Sequence, residues 1–147
     1  MGKLNEIHEV EIVYKRPAIC SMENVCTVDE SVELFRKLIP KDKIDFKEFF
    51  LVALLNRSNY VLGVSLISSG GTSGTVVEIK EILQLAIKTN SSAIILCHNH
   101  PSGNLSPSME DKKLTKKIKE ACELCNIELL DHLILTKEGY NSFIYDI

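Results

Sequence analysis

The sequence predicts one mixed α/β domain, a sheet of parallel and antiparallel strands covered by helices on its two faces. Three observations carry this reading. Short apolar runs of strand length alternate along the chain with stretches of helical spacing, so strands and helices interleave. Neighbouring strand-like runs are joined in places by tight turns, so part of the sheet is antiparallel. With 147 residues, 45% of them hydrophobic, the chain is long enough for one core and too short for two.

Taken in order, residues 9–14 alternate in the manner of a strand. Residues 31–38 carry Val32, Leu34, Phe35 and Leu38 at helical spacing and are closed by Pro40. This strand and helix form an N-terminal section, residues 1–44, expected to pack on the same domain as residues 45–147. Residues 48–55 and 60–67 are apolar and β-prone, and Asn56-Arg57-Ser58-Asn59 between them reads as a hairpin turn. Residues 68–74 are Ser, Gly and Thr throughout and read as a loop. Ile79, Ile82, Leu83 and Ala86 give residues 78–88 the spacing of a crossover helix. Residues 93–97 form a short, fully apolar strand that ends on His98. A further helix runs over residues 108–125, and residues 127–135 and 140–145 read as a terminal hairpin about Lys137-Glu138-Gly139.

Composition narrows the function. A net charge of −3 argues against a dedicated nucleic-acid binder. The lysines at 112, 113, 116, 117 and 119 read as the solvated face of a helix whose other side carries Leu114, Ile118, Ala121, Cys122 and Cys125. Residues 1–8 lack the apolar core of a signal peptide, Glu6 stands where myristoylation after Gly2 would want Ser or Thr, and no apolar stretch is of membrane-spanning length. A cytoplasmic location follows as the expectation, with Cys20, Cys26, Cys97, Cys122 and Cys125 as free thiols.

The chemistry concentrates after residue 97. His98 and His100, two apart at a strand end, project to the same side and can converge on one ion. Residues 101–107 are rich in turn formers and can fold the chain back to deliver Asp111. Two imidazoles and a carboxylate match the ligand set of a hydrolytic zinc, which keeps its fourth position for water, whereas a structural zinc closes all four. Ser108-x-x-Asp111 behind Pro107 also has capping-box spacing, and the two roles are compatible at a helix start. Asp111 falls at the edge of that helix's apolar side, aimed inward. A hydrolase needs a general base, and Glu48, interrupting an apolar run, is the candidate; the competing reading is a carboxylate at an exposed strand start. The Ser108 hydroxyl could donate to a developing oxyanion. Cys122-x-x-Cys125 sits at the wrong end of its helix for a redox pair, and a zinc deaminase would want a glutamate in place of His100 and proline before Cys122, so core packing is the better account.

Glu48, His98-x-His100, seven residues and then Ser108-x-x-Asp111 resemble the JAMM (MPN) metalloprotease signature. His98-Asn99-His100-Pro101-Ser102-Gly103 is similar to its bacterial RadC branch in particular, and the likeness covers residues 45–145, including Gly71-Thr72, Ile79-Lys80-Glu81-Ile82 and Asp131-His132. The resemblance implies a three-layer α/β/α domain with a mixed sheet, JAMM/MPN-like and cytidine-deaminase-like in architecture. It further implies zinc held by His98, His100 and Asp111, Glu48 as acid/base, Ser108 as oxyanion donor, and a protein or peptide substrate cut at a peptide or isopeptide amide. There are two departures. Lys80 stands where the RadC pattern commonly has Arg, which weakens any bidentate anion contact, and the helix-hairpin-helix module that lies upstream in typical relatives is not expected within residues 1–44. Asp131 is expected to orient a ligand imidazole, while His132 reads equally well as a satisfied histidine at a strand start. A DNA-associated accessory protein or nuclease linked to repair, suggested by the lysine helix and the family name, is the alternative. A metal-binding module without turnover is a third, against which the intact Glu48 stands. Residues 68–74 and 101–107 are the expected substrate-gating loops.

Overall fold

In the computed structural model, residues 7–71 and 75–146 are described. Five strands form one sheet in the order β2-β1-β3-β4-β5, with β1 (Glu48–Leu55), β2 (Val61–Gly70), β3 (Ala93–Asn99), β4 (Glu128–Leu135) and β5 (Tyr140–Ser142). β1 lies antiparallel to both β2 and β3, β3 and β4 are parallel, and β4 and β5 are antiparallel. The sheet is mixed, as expected.

β1 and β3 form where the sequence is apolar without alternation, because both of their faces are covered. Phe49, Leu51, Ala53 and Leu55 of β1 and Ala93, Ile95 and Cys97 of β3 pack with Val32, Leu34 and Phe35 of α1 (Val28–Arg36). On the other face, Phe50, Val52, Leu54, Ile94 and Leu96 meet Ile82 and Ala86 of α2 (Ile79–Lys88) and Ile118 and Cys122 of α3 (Met109–Leu124). This is the three-layer α/β/α arrangement. α3 is the crossover between the parallel strands β3 and β4.

Several boundaries differ from the sequence expectation, each for a physical reason. Residues 9–14 form no strand; Val10 and Ile12 are 89% and 85% exposed. Alternation makes a segment fit for a strand, but a strand needs a neighbour to take its backbone hydrogen bonds. α1 starts before residue 31 because Thr27 caps it: its hydroxyl accepts from Glu30 N–H at 3.1 Å, and the Glu30 carboxylate accepts from Thr27 N–H at 3.0 Å. β2 continues through Ser68, Ser69 and Gly70, since these residues pair with Phe50, Phe49 and Glu48. Of the expected 68–74 loop, Thr72, Ser73 and Gly74 lie outside the described residues. β3 continues through His98 and Asn99, which face Ile134 and Leu135 of β4. After β5 the chain turns into a short 3-10 helix, Ile144–Asp146. Cys122 is buried as expected, whereas Cys125 caps the end of α3 and is exposed; all five cysteines are free. Among the described residues, no helix is long and apolar enough to cross a membrane.

Asn99 fixes where β1 begins. Fully buried on the α1 side, its carbonyl oxygen accepts from Phe49 N–H at 2.7 Å, and its amide donates to the carbonyls of Ile44 at 2.9 Å and Lys47 at 2.8 Å. Those bonds tie the approach to β1 onto the end of β3, one residue from Glu48. Asn99→Ala would leave a buried N–H and two carbonyls without these partners, and is expected to cost about 2 to 4 kcal/mol. Urea denaturation measures it, and a loss below about 1 kcal/mol would contradict the assignment.

Candidate metal centre

His98, the last residue but one of β3, is buried on the face that α3 covers. His100 follows just past the strand end and is held there by its N–H, which donates to the Leu135 carbonyl at 2.9 Å. The turn-forming residues 101–107 then reverse the chain into α3. Ser108 caps that helix: its hydroxyl accepts from Asp111 N–H at 3.0 Å, and Asp111 Oδ2 accepts from Ser108 N–H at 2.8 Å. The capping box and the inward carboxylate coexist. His98 Nε2 and His100 Nε2 are 3.0 Å apart, and each is 3.4 Å from an oxygen of Asp111.

Counting protons shows what this cluster wants. His100 Nδ1 lies 2.6 Å from the Asn104 carbonyl oxygen, which can only accept, so Nδ1 carries the hydrogen. The neutral ring therefore turns a lone pair at Nε2 toward His98 and Asp111. Two imidazole nitrogens and a carboxylate converge on one point, with one ligand atom from each residue lying within 4.8 Å of the others. Such a set is relieved by a cation, either a proton or a metal ion, and nitrogen and oxygen donors of this kind suit divalent metals. The His98–His100–Asp111 cluster can hold one.

Electrostatics point the same way. Burial pushes the Asp111 carboxyl up, but the His100 and His98 imidazoles beside it and the Ser108 N–H outweigh it and hold the group well below the usual carboxylate range. His100 is raised, chiefly by its hydrogen bond to Asp111 and against the opposing effect of burial. Glu48, half-buried at the first position of β1, is raised by burial; His98 and His100 pull it down and Asp111 pushes it up, so its charge feels all three members of the cluster.

Glu48, His100 and Ser108 line one cleft of about 640 Å³, walled by Phe46, Pro101, Pro107 and Gly71. The 101–107 segment thus supplies much of its wall, and Gly71 contributes from within the other expected loop. Lys80 lies exposed in the first turn of α2.

The arrangement includes groups that sequence reasoning missed. Asp131, expected to orient a ligand imidazole, instead accepts from its neighbour His132 N–H at 2.7 Å and from the Ser142 hydroxyl at 2.7 Å. His132 takes the place expected of Asp131, with Nε2 2.8 Å from His98 Nδ1 and Nδ1 2.7 Å from Thr115 Oγ1. The swap follows from a β-bulge where Ile94 and Ile95 of β3 face Leu129 and Asp131 of β4. Leu129 packs on the α3 side, Leu130 and Leu133 on the α1 side, so the added residue reverses the alternation and turns His132 toward α3. Thr115, four residues after Asp111 on one helix face, was the available signal. Phe50 stacks on His98 with ring centroids 5.8 Å apart, and Phe143 lies 4.5 Å from the His132 centroid, enclosing the pair in apolar rings.

A family model described as "RadC-like JAB domain" matches residues 25–146. The chain is also similar to curated proteins that bear the name UPF0758 protein. It is 37% identical to one from Alkaliphilus metalliredigens over 142 residues, covering 97% of this chain and 61% of that protein. It is 46% identical to one from Flavobacterium johnsoniae over 97 residues, 66% of this chain and 42% of the relative. A third, from Coprothermobacter proteolyticus, is 41% identical over 127 residues, 78% and 54% of the two chains. The chain thus spans about half the length of these relatives.

Metal and proton compete for His100. Its pKa is raised by Asp111, so below that raised value the ring carries a proton that a cation must displace. Divalent-cation affinity is expected to fall as pH drops from about 8 to about 6, by about tenfold per unit once His100 is protonated. Calorimetric titration at several pH values checks this; an affinity flat over that range would exclude His100 as a ligand.

Proposed function

The chain belongs to the RadC-like JAB domain family, and on that premise we propose that it is a zinc-dependent amide hydrolase acting on peptide or isopeptide bonds. The observation that carries the proposal is the convergence of two imidazole nitrogens and a carboxylate beside a half-buried glutamate in one cleft. His98, His100 and Asp111 would hold the ion. When bound, zinc would polarise a carbonyl and acidify water.

The remaining steps belong to the chain's own side chains. Glu48 accepts a proton from the attacking water and returns it to the leaving amine, and its burial raises its pKa in the direction that such a two-way transfer requires. The Ser108 oxygen accepts from Asp111 N–H, which leaves the hydroxyl proton free to be donated to the oxyanion that develops on the carbonyl. The cap therefore positions Ser108 for this role. Phe46, Pro101 and Pro107 give the cleft apolar walls that displace water from the scissile bond.

A DNA-associated role is the second reading. It rests on Lys113, Lys116 and Lys117, exposed along α3 beside the flanking Lys112 and Lys119. Its mark would be salt-sensitive DNA binding lost when these lysines are neutralised.

The deciding experiment measures metal content and hydrolysis of peptide and isopeptide amides for wild type, Glu48→Gln and Asp111→Ala. Glu48→Gln is expected to keep one zinc and lose at least about 100-fold in turnover, whereas Asp111→Ala loses metal affinity. Wild-type turnover in Glu48→Gln, or a wild type that takes up no zinc under metal-replete conditions, would overturn the proposal.

A further inference from the structure

Behind His98 a circuit of hydrogen bonds leaves one member of the cluster and returns to another. His98 Nδ1 is 2.8 Å from His132 Nε2, and His132 Nδ1 is 2.7 Å from Thr115 Oγ1. The Thr115 hydroxyl then donates to the Asp111 main-chain carbonyl at 2.6 Å. His98, His132 and Thr115 are each no more than 1% exposed, so these groups satisfy one another.

The proton count sets the direction of the circuit. Two oxygens 2.6 Å apart need a hydrogen between them, and the carbonyl has none, so the single hydroxyl proton of Thr115 lies toward Asp111. Thr115 Oγ1 must then accept from the Nδ1–H of His132. A buried, neutral imidazole has one N–H, which leaves a lone pair on His132 Nε2 to accept from the Nδ1–H of His98. His98 Nε2 is consequently bare, and it is the atom that faces His100 and Asp111. Run the other way, the same circuit would end with a hydrogen on His98 Nε2, pointing into the space that a cation would fill.

We propose that His132 and Thr115 are positioning residues that fix the Nδ1–H tautomer of His98 before any metal arrives, so that its Nε2 is ready to ligate. The β4 bulge is what makes this possible, because without the added residue His132 would face α1 and Asp131 would face α3. The use of the circuit rests on the proposed metal hydrolase; its direction does not.

The test begins with nitrogen-15 long-range correlation NMR of the metal-free wild type at about pH 8, where an unshifted histidine is neutral. It continues with zinc titration of wild type, Thr115→Val and Thr115→Ser. The expected results are His98 as the Nδ1–H tautomer in wild type, loss of that uniform tautomer in Thr115→Val with zinc affinity weakened at least about tenfold, and recovery of both in Thr115→Ser. An Nε2–H tautomer in wild type, or a folded Thr115→Val that keeps both tautomer and affinity, would overturn the proposal. The wild-type spectrum needs no substitution, so misfolding of Thr115→Val leaves the question decided by it. If wild type takes up no zinc, the hydrolase reading fails while the spectrum still decides the circuit.

Discussion

Much of this structure depends on holding three electron-pair donors against one another at the edge of a sheet. Without a cation, the Nε2 atoms of His98 and His100 and the Asp111 carboxylate are poorly disposed toward each other, and no single local element would place them so. Several constraints act together. β3 carries His98 in register with Phe50 and Ile134. The Leu135 carbonyl catches His100 N–H one residue beyond the strand, and the Asn104 carbonyl turns its ring. The capping box fixes the Asp111 backbone and orients one carboxylate oxygen. The N-terminus of a helix also favours a negative side chain, so the burial that disfavours the Asp111 charge is partly offset where the fold puts it.

The parts of the fold legible in the sequence are those where local pattern and tertiary environment agree. β1 and β3 announce themselves by unbroken apolar runs because both sheet faces are covered. Residues 9–14 carry an equally good strand pattern, yet no neighbouring strand receives them, and periodicity contains no information about a partner. Ser68, Ser69 and Gly70 show the reverse case: their composition favours a loop, but pairing with the start of β1 overrides it.

The same distinction governs the site. His98, His100, Ser108 and Asp111 lie within one short stretch, so their spacing alone indicates that they can meet. Glu48 comes from another strand and is visible only as a charge that breaks an apolar run. Asn99 passes for a spacer between two histidines, although strand alternation sends it to the opposite face, where it anchors the approach to β1. His132 is hidden by the bulge, since a sequence read with period two assigns the wrong member of the Asp131-His132 pair to the α3 side.

The mixed topology of the sheet is what makes one site from these separate pieces. A parallel β3–β4 pair requires a crossover, and α3 in that crossover starts beside the carboxyl end of β3, bringing Asp111 to the histidines. β1 runs antiparallel to β3, so its first residues, not its last, lie at that same edge. Phe50 pairs with His98, and continuing the register by two residues carries β1 to Glu48 on one side and β3 to His100 on the other. A parallel β1 would have placed Glu48 at the far end of the strand, on the order of 20 Å away at the usual rise per residue. The crossover to the parallel neighbour supplies the carboxylate that completes the cluster, the antiparallel neighbour supplies the carboxylate beside it, and β3 lies between the two.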